Sequence, residues 1–308
     1  MKRTLKEYFI IGFKGLAMGA ADVVPGVSGG TIAFISGIYN ELIESINSFN
    51  IANLKILFSK GFVAFFKVIN GPFLVSLFLG IGISVVTLAS VFKNLLETNP
   101  VLVWSFFFGL VLASIFYIGK QITKWNLTHI ILLIIGTVLA YYITIIPVAS
   151  AVNDSPYFLI FAGALAICAM ILPGISGAFI LLLLGAFKPA LDAIHHRDFQ
   201  KIALLGIGAV IGLLSFARVL KWLFYHYKNA TLSVLMGFVI GSLNKIWPWK
   251  EVLNSEMIDG KLRILHEKSI SPFTVDNNQI ITAIGLSIIG FSLILLLEKW
   301  GNNIKTNS

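Results

Sequence analysis

The chain has 308 residues, of which 57% are hydrophobic and only 12% are charged, and its net charge is +9. A soluble domain carries about twice that charged fraction, so the composition excludes an ordinary soluble protein. It also excludes nucleic acid as a partner, because no polar domain is present to hold the basic residues. The one cysteine, Cys168, excludes a disulfide framework.

The N-terminal residues are basic and are followed by apolar sequence, as in a signal peptide. No small-residue cleavage site followed by polar sequence appears, so we expect this segment to be part of the fold. Residues 8–24 are apolar, Pro25 and Gly26 interrupt them, and a helical pattern resumes at 31–46. Because proline breaks a helix and adjacent glycines permit a reversal, the pattern predicts a re-entrant helical hairpin over 8–46. Two ordinary spans joined by a tight turn are the alternative.

Residues 50–68 have the pattern of an amphipathic helix and predict a helix that lies on the membrane surface. Six apolar runs then occur along the chain, each close to the roughly 20 residues that a helix needs to cross a bilayer. The six predicted spans are 72–92, 100–118, 128–148, 202–222, 230–246 and 279–298. The chain is therefore predicted to be an all-α polytopic membrane protein.

The hairpin motif occurs twice. Pro25-Gly26-Val27-Ser28-Gly29 aligns with Pro173-Gly174-Ile175-Ser176-Gly177, and a second block aligns Gly80 with Gly208 through to Ser114 with Ser242. The offset between the copies changes between the two blocks, which makes the surface helix an insertion in the first half. We predict two repeats, 1–148 and 149–308, with a second re-entrant hairpin over 157–191.

Each half then crosses the membrane three times, an odd number, so the second half is inverted relative to the first. With the N-terminus inside, lysine and arginine are more frequent in the inner segments than in the outer ones, as the positive-inside rule requires. Both termini are then cytoplasmic. Residues 247–278 form an outer polar stretch, in which Asp259-Gly260 between alternating residues predicts a β-hairpin. We interpret this stretch as a connecting loop rather than a lid.

The repeated turns have the ingredients of an anion site. Hydroxyls and free backbone N–H groups at a helix start, together with the helix dipole, favour a bound phosphate. The predicted phosphate contacts are Ser28, Gly29, Gly30, Thr31, Ser176 and Gly177, and the turns are formed by Pro25, Gly26, Pro173 and Gly174. The alternative is a packing turn in which the two serines only cap their helices.

Three charged residues fall in apolar surroundings. Arg218 lies inside a predicted span, where a charge costs about 2.5–3.5 kcal/mol to insert, so we predict that it binds phosphate. Snorkelling to the interface beside Lys221 is the alternative. Asp22 is predicted to pair with Arg218 or to carry a coupling proton, or else to cap the motif turn. Glu41 is a second candidate proton carrier, or a residue of the inner interface.

These residues resemble a known family. Gly19-Ala-Ala-Asp22, the first motif and Gly37-Ile38-Tyr39, together with Leu172–Gly177 and Leu214-Ser-Phe-Ala-Arg218, resemble the pattern of the bacterial PopT family over essentially the whole chain. The resemblance implies a polyprenyl-phosphate (undecaprenyl-phosphate) translocase of the bacterial plasma membrane. Such a protein returns the C55 lipid carrier from the outer to the inner leaflet for cell-wall synthesis. The motif serines, the motif glycines and Arg218 would hold the head group, and we expect H⁺ or Na⁺ to drive transport.

Two other functions compete. The second motif also resembles that of BacA-type undecaprenyl-pyrophosphate phosphatases, which place an arginine beside the motif serine and a glutamate pair before the first motif. Here Gly29 and Gly177 follow the serines and only Asp22 precedes, so we expect no phosphatase activity. An anion channel or small-solute transporter would share the helix-end chemistry. No Walker motif is present, and neither a cofactor nor a metal ion is predicted.

Overall fold

The structure, a computed structural model, describes residues 3–24, 27–146, 155–258, 261–275 and 279–306. This part of the chain is mostly helical. The helices of the first half are α1 (Leu5–Val23), α2 (Gly29–Ile35), α3 (Tyr39–Asn47), α4 (Ile51–Val68), α5 (Gly71–Thr98), α6 (Pro100–Gln121) and α7 (Leu127–Ile145). Those of the second half are α8 (Pro156–Ile171), α9 (Gly177–Leu183), α10 (Phe187–His195), α11 (Phe199–His226), α12 (Lys228–Ser242) and α13 (Ile280–Thr306).

Among the described residues, four helices are long and apolar enough to cross a membrane: α5, α6, α7 and α11. The bent pair α9 and α10 adds a fifth candidate if it counts as one broken span. In the 18-residue apolar stretch of each helix, only 11% of the residues of α7 and 17% of those of α11 are buried inside the protein, so their apolar side chains face outward. Because outward apolar faces are stable in lipid and not in water, these helices indicate a multi-pass membrane protein.

One of the six predicted spans is shorter as a helix. α12 has 15 residues and ends at Ser242, before the predicted end at 246, because the chain there tightens into turns in which Lys245 N donates to Ser242 O. α13 (Ile280–Thr306) begins one residue after the predicted start at 279 and continues beyond the predicted end at 298.

The two predicted hairpins are each built from three helices rather than two. α1 and α8 end at the motif turns, and the seven-residue helices α2 and α9 follow them. A second break then comes at Gly37 (φ 74°) and at Gly185 (φ 72°), after which α3 and α10 begin. The break bends α10 away from α9 by 109°. The sequence pattern predicted that a helix continues through each of these glycines. Their left-handed backbone conformation instead ends the short helices α2 and α9.

Matched helices of the two halves pack in matched ways. α1 lies against α5 and α8 against α11, whereas α7 lies against α12 and α13 against α6. A Cβ atom at Gly80 would lie 2.0 Å from the carbonyl oxygen of Gly12, and one at Gly208 would lie 2.0 Å from that of Ile160. Because α7 of the first half packs on α12 of the second, and α13 of the second half packs on α6 of the first, the two halves interlock.

The same correspondence holds for the interlocking helices. A Cβ atom at Gly109 would lie 1.9 Å from the carbonyl oxygen of Ser287, and one at Gly237 would lie 2.3 Å from that of Leu133. Since Gly109 and Gly237 are matched in the aligned blocks, the aligned residues also share their packing role.

Two segments lie outside this helical body. α4 occupies the predicted surface helix but is broken at Gly61 (φ 80°, ψ 173°), and it exposes Phe58 and Phe62. The strands β1 (Lys250–Ile258) and β2 (Lys261–Ser269) pair antiparallel in the predicted hairpin region. The Asp259-Gly260 turn on which that prediction was based lies outside the described residues.

Candidate functional site

The first motif turn is closed by its own side chains. Ser28 is buried, and its Oγ atom accepts a hydrogen bond of 3.1 Å from Gly30 N at the start of α2. Its hydroxyl also lies 3.2 Å from the carbonyl oxygen of Leu172 and 3.3 Å from that of Met170, to which it donates. The Ser28 hydroxyl therefore caps one helix and binds the second motif turn at once.

The two motif turns also meet through Thr31. Gly174 N donates to Thr31 Oγ1 over 2.9 Å, and Gly174 has a φ of 87°, which a glycine adopts without strain. Thr31 and Pro173 are both buried. Thus residues of the two motif turns that are 142 to 144 positions apart in the chain lie in contact, although Pro25 and Gly26 lie outside the described residues.

Asp22 caps the first turn from the end of α1. Its Oδ1 atom accepts a hydrogen bond of 2.7 Å from Gly29 N. A Cβ atom at Gly29 would lie 2.4 Å from Asp22 Oδ2, so only glycine fits here without a shift. In the described part of the chain Asp22 and Arg218 form no ion pair, and the capping role is the one of the three predicted roles that the geometry shows.

The second motif turn is open by comparison. Ser176 precedes α9 but makes no capping hydrogen bond with its side chain, and it is only half-buried. Gly177 is buried, and a Cβ atom there would lie 2.6 Å from the carbonyl oxygen of Ala166. All seven residues of α2 are buried, whereas Gly177 is the one residue of α9 that is. The second turn is therefore the more accessible of the two.

Arg218 does not join the motif turns. It is exposed on α11, whereas its neighbour Ala217 is buried and accepts a hydrogen bond of 2.8 Å from Asn47 Nδ2 of α3. Successive helical residues point about 100° apart, so a buried Ala217 turns Arg218 to the outside. One turn further on, Lys221 lines a cleft with Asn40 and Glu44.

Glu41 ties the N-terminus to the first span. Its carboxylate accepts hydrogen bonds from Nη1 and Nη2 of Arg3, and the bond from Nη2 is 2.7 Å long. It accepts a third hydrogen bond, of 2.8 Å, from Asn70 Nδ2. These contacts join the N-terminus, α3 and the residue that precedes α5, so the geometry shows a structural ion pair.

The structure also shows a polar cavity that the sequence did not predict. It has a volume of about 270 Å³ and lies between the start of α3, the end of α6 and the junction of α11 with α12. Its polar lining residues are Tyr39, Asn40, Tyr117, Gln121 and Lys228. The Tyr39 hydroxyl is buried without a hydrogen-bond partner. The Gly37-Ile38-Tyr39 run stood out in the sequence. The other residues that line the cavity are too distant in the chain to have been linked to this run.

A second unpredicted group is a cluster of two lysines and one glutamate beside the β-hairpin. Glu267 Oε1 accepts from Lys245 Nζ at 3.0 Å and from Lys250 Nζ at 2.9 Å. Burial lowers the pKa of the Lys250 ammonium to about 8, against the attraction of Glu267. Burial opposes ionisation of Glu267 too, but the two lysines outweigh it and lower the pKa of that carboxyl. The cluster therefore carries an excess of positive charge.

Comparison with known proteins places the chain. Residues 18–261 match the VCA0040-like family, described as undecaprenyl phosphate translocase-like. The chain is 45% identical over 302 residues to a polyprenyl-phosphate transporter of Vibrio cholerae, with 96% of this chain and 97% of the relative covered. It is 32% identical over 254 residues to a polyprenyl-phosphate transporter of Staphylococcus aureus, with 76% and 84% covered. No solved structure matches significantly. The chain therefore belongs to the VCA0040-like family of undecaprenyl phosphate translocase-like proteins.

Proposed function

We propose that this chain transports undecaprenyl phosphate from the outer to the inner leaflet of the bacterial plasma membrane, for reuse in cell-wall synthesis. The observation that carries the proposal is the 45% identity, over nearly both full lengths, to a protein named as a polyprenyl-phosphate transporter. Both curated relatives are named as transporters and neither as an enzyme, which favours transport over the phosphatase alternative. The C55 length of the lipid, the direction of transport and its driving force are parts of the proposal.

The physical task fits the contact between the two motif turns. A phosphate head group cannot cross hydrocarbon unaided, because an unpaired buried charge is prohibitively costly. The protein needs a polar passage for the head group, while the prenyl tail stays in lipid. The Ser28–Leu172 and Thr31–Gly174 hydrogen bonds place polar groups of both halves at one point in an otherwise apolar body. That point is the proposed head-group passage.

Two inverted repeats would give this passage access to both leaflets. The matched glycine contacts and the exchanged pairing of α7 with α12 and α13 with α6 support a duplicated and interlocked architecture. The closed first turn and the open second turn are what a transporter with one accessible side would show. The cytoplasmic placement of both termini follows from the lysine and arginine bias of the sequence.

We rank the proposed phosphate contacts by the hydrogen bonds that they already make within the protein. Ser176 and Gly177 come first, because the Ser176 hydroxyl makes no capping bond. Ser28, Gly29, Gly30 and Thr31 bind phosphate only after the two turns separate, since their polar groups are engaged here. Arg218 acts at the surface, where the head group is received or released, because it is exposed.

Transport without hydrolysis is the deciding experiment. Liposomes containing the purified chain are loaded with a fluorescent short-chain prenyl phosphate, and its movement between leaflets is followed together with release of inorganic phosphate. We expect movement without phosphate release. Phosphate release would indicate the phosphatase, and equal movement of inorganic phosphate alone would indicate an anion channel.

Proton coupling through Asp22 is the proposed driving mechanism. Protonation of Asp22 would weaken its hydrogen bond to Gly29 N, and with it the closed first turn. We expect a pH gradient to accelerate transport by the parent chain and to have no effect on Asp22→Asn. An unchanged response of Asp22→Asn to the gradient would contradict this role, and a response to a Na⁺ gradient instead would point to sodium.

A further inference from the structure

Beside the β-hairpin, a cationic cluster and an apolar groove lie next to each other. The groove has a volume of about 320 Å³ and runs between α6, α13 and the segment that leads into β1. Its walls include Phe108, Trp247, Trp249, Ile284 and Ile288. Ile284 and Ile288 are more than half exposed, so the groove opens to the surface of the helical body. Its polar residue Ser287 uses its hydroxyl internally, donating to the carbonyl oxygen of Ser105 over 2.8 Å.

The segment that forms one wall is held in place. Trp247 Nε1 donates to the carbonyl oxygen of Ile270 over 2.9 Å, and Ile270 N donates to the carbonyl oxygen of Trp249 over 3.0 Å. Trp247 also contacts Phe108 edge to face, with the ring centroids 5.5 Å apart. The wall is therefore preformed and joined to the base of the hairpin.

The cluster adjoins residues that line the groove. Lys250 follows Trp249 in the chain, and its Nζ atom lies 4.1 Å from the centroid of the Trp104 ring. Trp104 lies one helical turn before Phe108 on α6, and Phe108 lines the groove. A chain lying in the groove would thus bring its end group to Lys250.

The other side of the cluster reaches the second motif. Lys245 Nζ lies 4.6 Å from the centroid of the Phe179 ring, and Phe179 lies one turn after Ser176, within α9. The cluster therefore contacts α9, the helix that begins directly after Ser176.

The charges of the cluster do not balance. Two ammonium groups share one carboxylate oxygen, and the exposed fractions of the three side chains are 20% for Lys245, 8% for Lys250 and 18% for Glu267. A partly desolvated excess positive charge is unfavourable until an anion neutralises it. A phosphate monoester supplies that charge and several acceptor oxygens, and lysine binds it as a point charge.

We propose that the groove and the lysine pair form a loading site for a prenyl monophosphate. The groove takes the first isoprene units, and Lys245 and Lys250 take the phosphate. Glu267 holds the two lysines together in the absence of ligand and loses part of its contact when the phosphate binds. From there the head group moves towards the Ser176 turn. This assignment rests on the proposed function for the class of its ligand.

Binding to the purified full chain in detergent tests the site. Farnesyl phosphate, farnesol and inorganic phosphate each compete with a fluorescent prenyl phosphate. We expect farnesyl phosphate to compete on the order of tenfold better than either of the others, since the site needs both parts of the ligand. Equal competition by inorganic phosphate would overturn the role of the groove, and equal competition by farnesol would overturn that of the lysines.

Variants separate binding from folding. Lys250→Gln is expected to weaken farnesyl phosphate binding on the order of tenfold, whereas Lys250→Arg keeps the charge and binds within about threefold of the parent. Lys268→Gln is the matched control, because Lys268 adjoins Glu267 on β2 but is exposed. Glu267→Gln is expected to bind more tightly, because it removes a competing carboxylate. A merely structural cluster predicts weaker binding and a lower melting temperature for Glu267→Gln.

Failure of the site and failure of the proposed function give different results. If the parent chain transports prenyl phosphate and Lys250→Gln binds and transports as the Lys268→Gln control does, the loading site is wrong and the transport proposal stands. If the parent chain binds farnesyl phosphate through Lys250 but moves no lipid, the loading site stands and the transport proposal is wrong.

Discussion

In the first half of the chain, the Ser28 hydroxyl accepts from Gly30 N, the Asp22 carboxylate accepts from Gly29 N, and every residue of α2 is buried. At the matching positions of the second half, Ser176 makes no capping bond, Met170 stands in the place of Asp22, and most residues of α9 are only half-buried. The glycine contacts between helices are nonetheless the same in both halves. The close approach of the backbones is thus alike in the two halves, whereas the hydrogen bonding of the two motif turns differs.

The largest expected effect tests the close glycine contacts that the two halves have in common. Gly80→Ala and Gly208→Ala should each lower the free energy of unfolding by about 3 kcal/mol, because the new methyl group would meet a backbone carbonyl oxygen at 2.0 Å. Gly82 and Gly206 lie on the same two helices with nothing within 4 Å, so their alanine variants should change it by less than about 1 kcal/mol. Thermal unfolding in detergent measures both pairs. Similar losses of stability from Gly80→Ala and Gly82→Ala would contradict the importance of the close backbone contact at Gly80.

A smaller effect tests the cluster of Lys245, Lys250 and Glu267 beside the β-hairpin, which lies in the second half. Because burial lowers the folded-state pKa of Lys250 from 10.5 to about 8, the unfolded chain binds more protons between these values, and stability rises with pH there. From pH 8 to pH 10 this group should add about 2 kcal/mol to the free energy of unfolding. Lys250→Met removes that rise and Lys268→Gln keeps it. An unchanged pH dependence in Lys250→Met would show that Lys250 is not desolvated.

The smallest expected effect separates the two motif serines. Ser28→Ala should cost about 1 kcal/mol of stability, because it leaves the Gly30 N–H group without its cap. Ser176→Ala should cost less than about 0.5 kcal/mol, since no capping bond is lost, yet it should slow prenyl phosphate transport more than its stability explains. Parallel measurements of unfolding and of transport in liposomes check both. Equal stability losses, or full transport by Ser176→Ala, would contradict the assignment.

Local sequence patterns determined much of the fold. Long apolar runs have few stable alternatives to helices in a membrane, and the runs at 72–92, 100–118, 128–148 and 202–222 became α5, α6, α7 and α11. The repeated Pro-Gly-x-Ser-Gly motif also located both helix breaks. The breaks at Gly37 and Gly185 were missed, because a single glycine within an apolar run does not reveal whether its backbone is left-handed.

The sequence by itself determined the membrane class and the family, because these depend on composition and on residues close together in the chain. Only the tertiary structure decided that Thr31 binds Gly174, that Asp22 caps its own turn, and that Arg218 faces outward. It alone brought Lys245, Lys250 and Glu267 to one point. Those outcomes depend on how the helices rotate and cross, and side chains far apart in the chain acquire partners only when that packing is set.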